Sequence, residues 1–174
     1  VLQTQVFKTI SKLIEKETTI KTFISANKIS FEHERNIIQF QNKQGVYPDV
    51  SKIIPKEHST SIVINRQELI KTLDRVALIL EKYDKKIKLK ITNDQFIVSS
   101  TKNRTGSVTE LIQDFNKDGP DIEFVCSSSY LLDSLRSFKT KEIKFELNST
   151  TNPILIWDNE DRNTIHLVMP VRTS

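Results

Sequence analysis

Ser127, Ser128 and Ser129 stand just ahead of Asp133, and these are residue types a nucleophilic hydrolase would use. Such a site also needs a histidine base, and none can be assigned to these serines from sequence. The three histidines, His33, His58 and His166, lack metal-ligand spacing, which argues against a zinc site. A single cysteine, Cys126, excludes an intrachain disulfide and any multi-thiolate cluster. Three glycines are too few for a phosphate-cradling loop, and neither GxGxxG nor GxxxxGK[ST] occurs. Cys126 reads as a buried strand residue and His166 as a satisfied structural histidine. No catalytic centre, metal or cofactor is implied.

The chemistry on offer is contact with anions and with apolar peptides. Lys8, Lys12 and Lys16 recur every fourth residue. Lys71, Arg75 and Lys82 fall in one sector of a second helical stretch, and Arg136 and Lys139 sit three apart in a third. Parallel basic stripes meet a phosphate backbone without reading bases. The bland reading also stands: exterior lysines are commonly only solvated, and a net charge of +4, from 26 Lys/Arg against 22 Asp/Glu, is mild. Gly45–Pro55 and Val168–Arg172 combine prolines with apolar residues; they read either as linkers or as a shaped apolar wall for a bound peptide. Leu78 and Ile79 point away from the apolar stripe of their helix, either under a loop or toward another chain.

Three repeated units position these residues. In the last, Glu123–Cys126 reads as a strand, Ser127–Ser129 as the N-cap, and Tyr130–Lys139 as a helix with Leu131, Leu132, Leu135 and Phe138 on one face. Three strands follow, around Ile143/Phe145/Leu147, around Ile154/Ile156 and over Thr164–Met169. The middle unit repeats the order. Its strand is Ser61–Ile64, its N-cap Asn65 and its helix Arg66–Lys82; strands follow around Ile87/Leu89/Ile91, over Phe96–Val98 and over Ser107–Ile112. The first unit has a helix at Thr4–Lys16, burying Val6, Ile10, Leu13 and Ile14, and strands at Ile20–Ser25, Lys28–Glu32 and Ile37–Gln41. Phe7, Leu73 and Leu135 are expected in like surroundings. Amphipathic helices on antiparallel strands define an α+β fold. Units two and three, joined by Asp114–Pro120, form one domain; unit one, too small to be comfortable alone, is expected to have its mate upstream. At 174 residues, 37% apolar and 28% charged, the chain is ordinary and globular, with no stretch of the roughly 20 apolar residues that span a bilayer.

Gly45–Pro55, Tyr130–Leu135, Asn152–Ile156 and Val168–Arg172 together resemble the bacterial sliding clamp, the beta subunit of the replicative DNA polymerase III. Gly45–Pro55 is similar to that family's interdomain pattern GxFPDYxxxxP, and the last two segments to its final unit and ending. The resemblance covers the whole chain but only about the last half of a family member. It implies a clamp fold of repeated helix-plus-strand units, with residues 1–57 the second half of the middle domain and linker, and 58–174 the complete C-terminal domain. It implies a cytoplasmic, non-enzymatic processivity factor whose two subunits close head to tail around duplex DNA. The inner wall would carry Lys8, Lys12, Lys71, Arg75, Arg136 and Lys139, and the ring interface Leu78 and Ile79. Linear motifs of the polymerase, clamp loader and repair proteins would dock on Pro48, Lys52, Ile53, Tyr130, Pro153, Leu167, Met169, Pro170, Val171 and Arg172. Lys52 stands where the family commonly has arginine, and Ser127 where it has asparagine. The rival is a nucleic-acid-binding protein that grips phosphates directly, independent of sequence.

Overall fold

The computed structural model describes residues 4–13, 19–42, 45–47, 49–81, 84–101 and 106–171. The chain divides into a unit over residues 1–49 and a second over residues 50–174. In the first, helix α1 (Thr4–Leu13) accompanies an antiparallel sheet of β1 (Lys21–Ile24), β2 (Lys28–His33) and β3 (Asn36–Gln41), in that order. Among the described residues its core is small: Val6 and Ile10 of α1 meet Ile29 and Phe31 of β2, with Ile20 and Phe40 packed alongside. Leu13's side chain and Ile14–Lys16 lie outside the described residues.

The second unit holds two copies of one strand–helix–three-strand motif. The first copy runs β4 (Thr60–Asn65), α2 (Arg66–Ala77), β5 (Lys86–Ile91), β6 (Phe96–Ser100) and β7 (Thr109–Ile112). After β8 (Phe115–Asp118), the second runs β9 (Ile122–Ser127), α3 (Ser128–Ser137), β10 (Glu142–Leu147), β11 (Ile154–Asp158) and β12 (Ile165–Val168). The copies exchange their leading strands. β4 pairs with β10 in the sheet β12-β11-β10-β4-β8, and β9 pairs with β5 in the sheet β7-β6-β5-β9. The registers match as well: Asn65 opposes Glu142, and Ser127 opposes Lys86. At the two crossings the Arg66 amide donates to Lys141 O (2.9 Å) and the Ser128 amide to Lys85 O (2.8 Å).

This exchange makes one core from two halves. Leu69, Leu73 and Val76 of α2 are buried, as are Leu131 and Leu135 of α3 and Phe138 just beyond it. Ile87, Leu89 and Ile91 on β5 answer Ile143, Phe145 and Leu147 on β10. Alternation along each strand sends these side chains inward and leaves the intervening ones on the outer face.

Several expected boundaries move. The second helix stops at Ala77, not Lys82: the amides of Leu78, Ile79 and Leu80 close three-residue turns onto Arg75, Val76 and Ala77. Lys82 lies outside the described residues. The third helix begins at Ser128 and ends at Ser137. The stretch read as a connector, Asp114–Pro120, contains β8, whose Phe115 meets Phe96 edge-on at 5.7 Å. Phe7 is 56% exposed whereas Leu73 and Leu135 are fully buried, so the expectation of shared surroundings fails for Phe7; Val6 and Ile10, at 6% and 8%, are the α1 residues that are buried. No helix among the described residues is long and apolar enough to cross a membrane.

Candidate interaction surfaces

The outer face of the β12-β11-β10-β4-β8 sheet is built by residues that alternate with the core. Leu155 lies between the core residues Ile154 and Ile156, opposite Leu167 in register; Trp157 lies opposite Ile165. Residues at the start of the second unit supply a wall over this face. Val50–Lys52 form a 3₁₀ turn closed by the Ile53 amide on Val50 O (3.1 Å). Val50, Ile53 and Ile54 then enclose, with Ile165 and Leu167, an apolar hollow of about 270 Å³. Lined only by aliphatic side chains, it suits an apolar anchor rather than a charged group.

A second hollow of about 510 Å³ opens between Glu123–Val125 of β9, Thr150 and Thr151, and the run Met169–Val171. Here the chain passes from the edge of one sheet to the edge of the other, and the Val171 amide donates to Val125 O (2.7 Å). Met169 is 52% exposed. It follows Leu167 by two residues, the spacing that keeps neighbours on one side of an extended chain.

Beside the first hollow is a buried carboxylate that the sequence did not reveal. Glu146 of β10 accepts from Trp157 Nε1 (2.9 Å) and from the Arg162 guanidinium (2.8 Å). Lys144 Nζ lies 3.2 Å from it and His58 Nδ1 3.6 Å. Arg162 also stands over the Trp157 ring, 5.3 Å from its centroid. A buried carboxylate needs such company, and here it fixes the indole and the residue leading into β4.

Of the residues expected to bind peptide, Ile53 and Leu167 line the first hollow, and Met169, Pro170 and Val171 the second. Lys52 is exposed in the adjoining 3₁₀ turn. Pro153 is half-buried just before β11, and Tyr130 is exposed on the first turn of α3; neither lines a hollow described here. Pro48 and Arg172 lie outside the described residues. Val50 and Ile54 fall in the Gly45–Pro55 stretch read as a possible apolar wall, whereas Ile165, Thr150, Thr151 and Glu123–Val125 are not among the expected site residues, although the two-residue spacing of Ile165, Leu167 and Met169 points to Ile165.

The cations expected on the inner wall lie at the surface, with Lys139 two residues beyond the end of α3. Lys8, Lys12, Lys71 and Lys139 are exposed. Arg75 and Arg136 are exposed but paired. Arg136 spans Asp74 with contacts of 2.7 and 2.9 Å, linking α3 to α2. Arg75 places Nε and a terminal nitrogen 3.0 and 2.7 Å from one Glu110 oxygen on β7. That hydrogen bond raises the Arg75 pKa further and lowers that of Glu110. Leu78 is 85% exposed, Leu111 on β7 is 49% exposed and Ile79 is half-buried.

The serines do not form a hydrolase site. Ser127 Oγ meets Ser129 Oγ at 2.9 Å, while His166 turns to Ser137 Oγ (3.1 Å) and the Phe138 ring. Burial lowers the His166 pKa, which suits a neutral structural ring. Ser127 holds the N-cap position of α3 but makes no side-chain cap bond, whereas Asn65 Oδ1 accepts from the Glu68 amide (3.1 Å).

Two exchanged motifs under paired helices, with an outer-face hollow at the entry to the module, define a domain of the α+β clamp class. A family model for the DNA polymerase III beta subunit, C-terminal domain, matches residues 51–172. The chain is similar to the beta sliding clamp of Lactococcus lactis, 28% identical over 162 residues, covering 91% of this chain and 43% of that protein. It is likewise similar to the beta sliding clamp of Bacillus subtilis, 27% identical over 168 residues, covering 94% and 44%. The solved beta subunit from DNA polymerase of Streptococcus pyogenes superposes with a TM-score of 0.87 at 26% identity, over 99% of this chain and 47% of that one. The chain thus spans less than half the length of these relatives, and it belongs to the DNA polymerase III beta-subunit family.

Proposed function

We propose that this chain is part of a DNA replication processivity factor, a ring that encircles duplex DNA without reading its sequence and keeps the replicative polymerase on its template. Residues 1–57 serve as the second half of a middle domain with its linker, and residues 58–174 as the C-terminal domain. The factor is cytoplasmic and an accessory subunit without a catalytic site of its own. Its intact subunits close head to tail, with Leu78 and Ile79 at the seam; the exposure of Leu78 and of Leu111 nearby in β7 supports that role. Polymerase, clamp loader and repair proteins dock short linear peptides on the outer face.

The observation that carries this reading is the apolar hollow between Ile53/Ile54 and Ile165/Leu167, with exposed Met169, two residues beyond Leu167, lining the second hollow. Apolar pockets of this kind hold the anchor residues that dominate peptide affinity, and the flexible Met169 thioether can repack around different anchors. A fluorescent peptide from the polymerase tail, titrated against the chain, tests it. Leu167→Ala and Met169→Ala should each weaken binding by about tenfold, the loss of about 1.4 kcal/mol expected of an anchor contact. Unchanged affinity in both variants rejects the groove as the peptide site. Paired Arg75 and Arg136 speak against the rival reading of a protein that grips phosphates tightly.

A further inference from the structure

The exposed surface of α2 and α3 is close to electrically balanced. On α2, Arg66, Lys71 and Arg75 stand with Glu68 and Asp74; on α3, Arg136 stands with Asp133. Two of these cations are tied to carboxylates from other elements. Asp74 on α2 takes Arg136 of α3, and Glu110 on β7 takes Arg75 of α2. All four side chains remain at least a quarter exposed, from 27% for Glu110 to 53% for Arg136. Exposed pairs of this kind contribute little to stability. Their larger effect is on the potential the face presents: a guanidinium already sharing its donors with a carboxylate attracts a phosphate weakly and releases few counterions.

We propose that Asp74 and Glu110 act as charge dampers: by holding Arg136 and Arg75 they keep the helical face from gripping the phosphates of duplex DNA. The inference rests on the reading of that face as the DNA side and adds to it the residues that set how weak the contact is. A ring that must move along DNA needs such a limit, because each phosphate neutralised by a free cation adds to the work of every step.

The test uses the chain as it stands and a short fluorescent duplex of arbitrary sequence, titrated from about 20 to about 200 mM salt. Asp74→Asn and Glu110→Gln should each tighten binding at low salt. Each should steepen the plot of log affinity against log salt by about 0.9, one additional phosphate contact. Arg136→Gln added to Asp74→Asn should cancel the gain. The exchanged pair, Asp74→Arg with Arg136→Asp, should keep the wild-type slope because one guanidinium stays paired with one carboxylate; far-UV circular dichroism, unchanged in Asp74→Asn while the slope steepens, separates damping from a merely structural clasp. If Lys71→Gln weakens binding but Asp74→Asn and Glu110→Gln leave slope and affinity unchanged, the dampers are rejected while the DNA-facing reading stands. If none of the three substitutions changes binding, both are rejected.

Discussion

Cys126 illustrates how a single buried group sets a condition on the whole fold. Its side chain is fully buried on β9, and burial alone pushes the thiol up to about 12 from an ordinary 9.0. The unfolded chain ionises near the lower value and the folded chain only near the higher one. Between them unfolding releases a proton, so stability falls as pH rises, by up to about 1.4 kcal/mol per pH unit. Urea denaturation of the wild type and Cys126→Ala at about pH 8 and about pH 11 checks this, because lysines and tyrosines titrate alike in both proteins and cancel in the comparison. The wild type should lose more stability than the variant; equal losses would mean the thiol is accessible in the native state. Leu78 offers the opposite case. Sequence left it either under a loop or facing another chain, and its 85% exposure in the described chain removes it from the core. Leu78→Asp should therefore change the unfolding free energy by less than about 0.5 kcal/mol, measured by thermal melting. A larger loss would return it to the interior.

Elements were most legible where one period governs a buried face. Ile143, Phe145 and Leu147 alternate without interruption, and β10 is a central strand of its sheet. β8 was hidden because Phe115 is its only apolar residue; Asn116, Lys117 and Asp118 read as loop but pair with β4 all the same, and the Lys117 side chain, on the Phe115 side of the strand, is only 2% exposed. The end of α2 was hidden for the converse reason. Apolar residues continue through Leu80, while the backbone has already tightened into three-residue turns. The charge dampers were illegible because Glu110 reaches Arg75 across 35 residues of chain. Caps show how finely placement matters. Asn65 bonds the Glu68 amide, so Asn65→Ala should cost about 1 kcal/mol, whereas Ser127→Ala, which removes no cap bond, should cost clearly less. Chemical denaturation of the two variants side by side decides it, and equal costs would refute the assigned caps. Gly119, between β8 and β9, has φ of +100°, and a Cβ there would lie 2.0 Å from Ser59 O. Gly119→Ala should destabilise by more than about 2 kcal/mol, since strain and collision add.

At the scale of the molecule, the exchange of β4 and β9 ties the two copies within residues 50–174 into one interdependent unit. Each copy within residues 50–174 lends its leading strand to the other's sheet, so neither sheet is complete until both copies have folded. Among its described residues, the unit over residues 1–49 has one helix and three strands and leaves large apolar side chains in solvent: Phe7, Phe23, Ile24 and Ile37 are each more than half exposed. In the duplicated unit the helix positions matching Phe7, one residue beyond the first core leucine, are Ile70 and Leu132, buried to 8% and 7%. The same position is thus covered where two copies meet and bare where only one is described. Among the described residues the buried core of this unit is Val6, Ile10, Ile29 and Phe31, little to set against the ordering entropy of about fifty residues. The prediction is two unequal stabilities in one chain. Residues 50–174 expressed alone should unfold in a single cooperative transition with a midpoint close to that of the full chain. Hydrogen exchange on the full chain should give amides of β2 much weaker protection than those of β5 and β10, which open only with the duplicated unit as a whole. Equal protection in β2 and β5 would mean that the first unit is stable without a mate, and the account of its exposed apolar face would fail.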